Sequence, residues 1–194
     1  MRVLIACEFS GTVRDAFIAK GHDAISCDIM PSETDGPHYI GDVRDIMNSG
    51  FDLMIAHPPC TYLANSGVRW LYRNGALETE RCTRMVEAAR FFVQLMNAPI
   101  AHICLENPIM HHYGREIIVT PYDQIIQPFQ FGHAATKKTC LWLKNLPPLL
   151  YTNIHTSPLQ NWAETKGGSH KGHERSRTFS GIARAMAQQW GDVK

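Results

Sequence analysis

Short apolar runs alternate with stretches of helical periodicity from the amino terminus to about Glu106, and that alternation admits few folds. Arg2 to Ala6, Asp23 to Cys27, Leu53 to Ala56 and His102 to Leu105 read as strands. Near-continuous apolar strands separated by helices are the pattern of a mostly parallel sheet covered on both faces. Val13 to Ala19 is expected as a helix with Phe17 and Ile18 toward the sheet, closed by Lys20 and Gly21. The longest helix should run from about Leu77 to Met96, where Met85, Ala88, Ala89, Phe92, Val93 and Met96 recur as a core stripe. Beyond Glu106 the connections shorten. Ile117 to Val119, Asp123 to Gln127 and Thr139 to Leu143 look strand-like, which suits an antiparallel edge, and a closing helix is expected from Ser180 to Trp190. The expected fold is α/β, a single domain over all 194 residues.

Several function classes are disfavoured by composition. The amino terminus opens directly on a strand, with neither a leader nor a membrane-spanning run, so a cytoplasmic protein is expected. Six widely spaced cysteines form no C-x-x-C pair, and His111-His112 has no carboxylate or cysteine at metal spacing, so neither a disulfide framework nor a metal site is expected. A net charge of +1 argues against coating nucleic acid by bulk electrostatics. Locally the picture differs, since residues 164–178 are crowded with Lys, Arg, His and Gly and read as a flexible basic loop.

Chemistry concentrates at strand ends, where open α/β sheets bind ligands. His57-Pro58-Pro59-Cys60 puts a thiol behind a stiff Pro-Pro corner, and Glu106-Asn107-Pro108 puts a carboxylate after a second strand. A nucleophile and an acid in those places suit covalent catalysis. After the first strand, Cys7-Glu8-Phe9-Ser10-Gly11 sits where Rossmann-like proteins bend around a nucleotide-containing cofactor. It has a single glycine, so a pyrophosphate is disfavoured and a cofactor without phosphates fits better. Asp28 ends the second strand where a carboxylate can hold a ribose diol, and Asp42 stands where an adenine amino group can be read. Taken singly, each acid also suits a helix cap or a turn.

In order and position, Glu8-Phe9-Ser10-Gly11, Asp28, Asp42, Pro58-Pro59-Cys60 and Glu106-Asn107-Pro108 resemble the motifs of cytosine-5 DNA methyltransferases, in a small, phage-type form. The resemblance implies a Rossmann-like sheet that binds S-adenosylmethionine through Glu8, Phe9, Ser10, Gly11, Asp28, Ile29, Asp42, Val43 and Pro58. It implies Cys60 as the nucleophile and Glu106 as the group holding the target cytosine, with Pro59 and Asn107 beside the substrate. Lys137 falls at one arginine position of the family's basic motif, which is otherwise replaced by Phe131 to Thr139. Between Leu150 and Glu174 there are too few residues for the usual target-recognition domain, so low sequence selectivity is expected.

The implied partner is DNA, duplex or single-stranded. Arg69, Trp70, Tyr72 and Arg73, following a loop at residues 61–67, interleave cations and aromatics suited to phosphates and bases, and Arg175 and Arg177 add phosphate contacts. Surface packing in the first turn of the long helix would account equally for the first group. Two other readings stand beside DNA methylation: the same chemistry on a free cytosine nucleotide, and a catalytically silent nucleic-acid-binding accessory protein.

Overall fold

The computed structural model describes residues 1–65, 70–158 and 176–193. Its strands are β1 (Arg2–Ala6), β2 (Asp23–Asp28), β3 (His38–Ile40), β4 (Leu53–Ala56), β5 (Tyr72–Arg73), β6 (Ala76–Leu77), β7 (His102–Pro108), β8 (Gln124–Ile126) and β9 (Thr139–Lys144). The helices are α1 (Thr12–Ile18), α2 (Thr79–Met96), α3 (His112–Ile118) and α4 (Ser180–Trp190). Seven strands form one sheet in the order β3-β2-β1-β4-β7-β9-β8. Every pairing from β3 to β7 is parallel, and β9 runs antiparallel to both its neighbours. The reversed strand therefore lies one place in from the edge.

Alternation along each strand splits the core into two layers. Val3, Ile5, Leu53 and Ile55 meet Val13 and Phe17 of α1 and Ile182, Met186 and Trp190 of α4. Leu4, Ala6, Met54 and Ala56 meet Met85, Ala89, Phe92 and Leu95 of α2. Helices thus cover both faces, and the fold is Rossmann-like. Among the described residues no helix is long and apolar enough to cross a membrane.

Local departures from expectation have local causes. Ile117 and Ile118 close α3 rather than form a strand. The helix is entered through His111, whose ring accepts from the Tyr113 N–H, and Ile118 is seated in the core. Val119 then takes φ of 64°, where a β-branched residue ends a helix under strain. Ile18 is 40% exposed while Phe17 is fully buried, so only one of the pair faces the sheet. Residues 72–77 form the small hairpin β5–β6 rather than the first turn of the long helix, which starts at Thr79. The loop after Cys60 is anchored at its start. Leu63 is fully buried, its N–H and that of Ala64 bond the Cys60 carbonyl, and Ala64 bridges Met110.

A buried arginine ties α1 to the chain that follows β2. Arg14 has no exposed surface, and its guanidinium donates to Ser26 Oγ at 3.1 Å, Ser32 Oγ at 3.1 Å, Thr34 Oγ1 at 2.7 Å and the Asp35 carbonyl at 3.0 Å. Asp15 pairs with it at 2.8 Å. Gly11, at φ 73°, leaves room for this clasp, because a Cβ there would stand 2.2 Å from Thr34 Oγ1.

Arg14→Ala is expected to cost about 3 kcal/mol by orphaning these acceptors and opening a void. A urea midpoint lowered at unchanged slope checks it. A loss under about 1 kcal/mol would show that the loop is held by something else.

Candidate active site

Strand register brings the candidate residues abreast. Ala6 pairs with Ala56, and Ala56 with Leu105, so Cys7, His57 and Glu106 follow side by side at the ends of β1, β4 and β7. Between β1 and β4 the chain order reverses, since β2 and β3 lie on one side and β4 on the other. That switch point is where an open parallel sheet leaves a crevice beyond its carboxyl ends. One wall is the Cys7–Gly11 turn, and the opposing one is the His57–Cys60 corner.

Along the first wall, Glu8 points inward. Its carboxylate accepts from the N–H groups of Val13 at 2.7 Å and Arg14 at 3.3 Å and from Ser10 Oγ at 3.1 Å. It thus caps α1, which Gly11 cannot do from its own position for want of a side chain. Phe9 is half-buried. At the end of β2, Asp28 accepts from the Met30 N–H at 3.0 Å, and Ile29 beside it is 79% exposed. Asp42 is engaged within its own turn. It caps the short 3-10 helix Val43–Asp45, and Arg44 holds its carboxylate through main chain and side chain, keeping its pKa below the ordinary value. Val43 is buried in the core.

On the second wall, Asn107 sets the corner. Its side-chain N–H donates to the Pro58 carbonyl at 2.8 Å, fastening the Pro-Pro turn to β7. Pro58 is buried, Pro59 exposed and Cys60 half-buried. Four other thiols are poor nucleophiles: burial pushes Cys27 up to about 12 and Cys140 up to about 11, and raises Cys7 and Cys104 as well. For Cys7 and Cys27 the charge of Asp28 adds to burial.

At the bottom of the crevice His57 Nδ1 lies 3.1 Å from Glu106 Oε2, with the two side chains 11% and 10% exposed. Thr178 Oγ1, just ahead of α4, donates to the same oxygen at 3.3 Å. Burial alone would favour a neutral imidazole, but the hydrogen bond and charge of Glu106, reinforced by Glu8, raise the His57 pKa above its usual value. Burial likewise pushes the Glu106 carboxyl upward, and is outweighed by His57, Lys137 and Thr178, so its pKa ends lower. Both shifts favour imidazolium beside carboxylate. Two buried polar atoms among the described residues have no partner, His57 Nε2 and Asn107 Oδ1.

The structure therefore joins Asn107 to Pro58 and Glu106 to His57 and Thr178, with the charges of Glu8 and Lys137 acting on the pair, and Cys60 follows two residues after Pro58 on the same corner. Arg177 pairs with Glu33 at 2.7 Å, and the Glu33 N–H donates to the Phe9 carbonyl of the first wall. Arg69, Arg175 and most of the expected basic loop lie outside the described residues. Sequence reasoning passed over His57, Thr178 and Arg14. For His57 a signal was present, since it directly follows the strand that pairs with the one leading to Glu106. In the chain that follows Cys60, an open cleft of about 510 Å³ is lined by Tyr62, Trp70, Tyr72, Arg73, Arg81 and Arg84 together with Glu78 and Glu80. Among the described residues no cluster of His, Cys, Asp or Glu suits a metal ion.

No protein-family model matches the chain, and no curated protein matches its sequence. Among solved structures the fold is similar to that of the Entamoeba histolytica methyltransferase EhMeth, with 13% identity and a TM-score of 0.50 over 80% of this chain. It also aligns with the bifunctional kinase-methyltransferase WbdD at 15% identity and a TM-score of 0.43 over 91% of this chain. The chain spans 57% of the length of EhMeth and 41% of that of WbdD. Such identities speak to fold, and the fold is one in which a methyltransferase has been solved.

The His57–Glu106 pair should leave a mark on stability. A raised histidine pKa stabilises fully below the unfolded value near 6.5, and that contribution is lost as pH rises through the folded value. A lowered Glu106 pKa is the reverse, lost as pH falls through it. In Glu106→Gln the histidine keeps its burial penalty and loses its main support, with Glu8 and Lys137 left acting on it in opposite directions. Wild type's advantage over that variant should shrink by up to about 1.4 kcal/mol per pH unit across the alkaline window, measured by urea unfolding from pH 6 to 9. A constant difference would mean the pair carries no shared charge.

Proposed function

We propose that the chain is an S-adenosylmethionine-dependent methyltransferase acting on carbon 5 of cytosine in DNA, with Cys60 as a covalent nucleophile and with little sequence selectivity. The observation that carries this reading is that the Pro-Pro-Cys corner, at the switch point of the sheet, is fastened by Asn107 to the end of the neighbouring strand that bears Glu106. Carbon 5 of cytosine is a weak nucleophile. A thiolate adding at carbon 6 turns it into an enamine-like one, so a difficult step becomes two easier ones. The other strand-borne thiols are pushed toward the neutral form, which leaves Cys60 with that task. Glu106 would meet ring N3 and balance the charge that addition creates.

The crevice fits a cofactor of this kind. Asp28 offers a carboxylate at the end of β2, exposed Ile29 offers an apolar face beside it, and the turn through Gly11 holds no second glycine for a pyrophosphate. When bound, S-adenosylmethionine supplies an electrophilic methyl group. Glu8 would act indirectly, by holding the turn, because its carboxylate already caps α1. Asp42 would have to leave Arg44 to reach an adenine, so Asp28 is the stronger candidate contact. A base within a stacked duplex must flip outward to reach Cys60, at a cost of a few kcal/mol. Tyr62, Trp70 and Tyr72 in the cleft that follows Cys60 in the chain offer faces for stacked bases, which supports a polymer over a free nucleotide.

Labelled methyl transfer to DNA, RNA and free cytosine nucleotides, compared side by side, is the primary test, with DNA expected as acceptor. Cys60→Ala should abolish turnover, and 5-methylcytosine persisting in digested DNA from that variant by mass spectrometry would remove the covalent mechanism. Asp28→Ala should weaken S-adenosylmethionine binding by at least about tenfold, roughly 1.4 kcal/mol by calorimetry. Unchanged affinity would move the ribose contact elsewhere.

A further inference from the structure

Resting on the proposed methyl transfer, we propose that His57 is a positioning residue that supplies, through Glu106, the proton that ring N3 takes up when Cys60 adds to the base. The difficulty it resolves is geometric and electrostatic together. Glu106 is the group placed to protonate the ring, yet its Oε2 already receives His57 Nδ1 at 3.1 Å and Thr178 Oγ1 at 3.3 Å. Those donors hold it as a carboxylate, and a carboxylate has no proton to give. A proton resides one hydrogen bond away, on the imidazole.

Charge around the pair agrees with this role. Glu8, on the turn after β1, stabilises the imidazolium. Lys137, in the segment before β9, opposes it while stabilising the carboxylate. Thr178, ahead of α4, is neutral and fixes Oε2 from the other layer. His57 stands directly before Pro58, whose carbonyl Asn107 holds, so the ring is aimed from a rigid stretch of backbone. Its Nε2 is buried without a protein partner, so the ring is not consumed by a second structural hydrogen bond.

The step balances as follows. The Cys60 sulfur forms a bond to carbon 6, the carbon 5–carbon 6 π pair shifts toward carbon 4, and the carbon 4–nitrogen 3 π pair takes a proton at N3. His57 Nδ1–H passes its proton to Glu106 Oε2 as the carboxyl gives one to N3, which leaves a neutral imidazole beside a carboxylate, so the pair loses one proton in all. After methyl transfer a base takes the proton on carbon 5, its C–H pair re-forms the carbon 5–carbon 6 double bond as the Cys60 sulfur leaves, and N3 returns its proton by the same route, restoring the pair.

Two measurements on the full chain test it. Without substrate, ¹⁵N NMR should show His57 titrating above the ordinary histidine value, and falling below it in Glu106→Gln. A titration indifferent to Glu106 overturns the pairing. With DNA and S-adenosylmethionine, kcat should decline as pH rises through the His57 pKa. His57→Asn, which keeps an N–H near the Nδ1 position but cannot titrate, should move that decline at least about one pH unit lower. At pH 8 it should cut kcat by about 100-fold, with KM for DNA changed less than about threefold. His57→Gln serves if the first variant does not fold. Equal loss at every pH, or an unmoved limb, overturns the relay and leaves a merely structural histidine. A wild type that methylates no cytosine substrate, with the NMR coupling intact, overturns the proposed function and the relay with it.

Discussion

Parallel pairing of β1, β4 and β7 is the constraint on which the rest of this structure depends. These strands are buried on both faces, so each backbone N–H and C=O must find its partner in a neighbouring strand. Register follows, because a slip by one residue would carry Val3, Ile5, Leu53 and Ile55 from one core layer into the other. The same register fixes which residues emerge together where the strands stop. Cys7, His57 and Glu106 are neighbours because Ala6, Ala56 and Leu105 are.

Two buried charged groups then organise the loops, by different means. Arg14 gathers hydroxyls and carbonyls from residues 26–35, and thereby shapes the chain after β2. Glu8 does the converse, accepting from the first turn of α1 and from Ser10. Both are desolvated, and both answer that cost with hydrogen bonds rather than with exposure. Gly11 lies between them, and its positive φ lets the turn pass close to Thr34 and Arg14. The Cys7–Gly11 wall of the crevice is therefore built as a unit with the helix behind it.

Sheet and helices were legible because their signals are local and repeated. α4 lies where its apolar spacing puts it, and β1, β4 and β9 match their apolar runs within a residue. Ile117 to Val119 misled because three β-branched residues resemble a strand, while helix α3 is decided by the His111 cap and the burial of Ile118. Strand ends holding Cys60 and Glu106 were equally readable, since an apolar run closed by prolines marks its own terminus. Partnerships across the fold were not. Thr178 reaches Glu106 from far along the chain, and Arg44 claims Asp42 through a short turn whose geometry no spacing reveals.

Glu106 is subject to opposing demands, and the way they are met explains why His57 matters. A dry crevice strengthens every electrostatic contact, and so favours stabilising charge on a reacting ring. Dryness also penalises an ionised carboxyl, which by burial alone would hold its proton. In this crevice the carboxyl is kept ionised by an imidazole that is itself partly desolvated, so the proton is retained within the pair instead of being released to solvent. A lone buried glutamate would be an acid with a raised pKa and a fixed proton. Paired with His57 it becomes an acceptor and a donor at once, and in the proposed reaction it could give a proton to a ring nitrogen and take it back as the thiol adds and leaves.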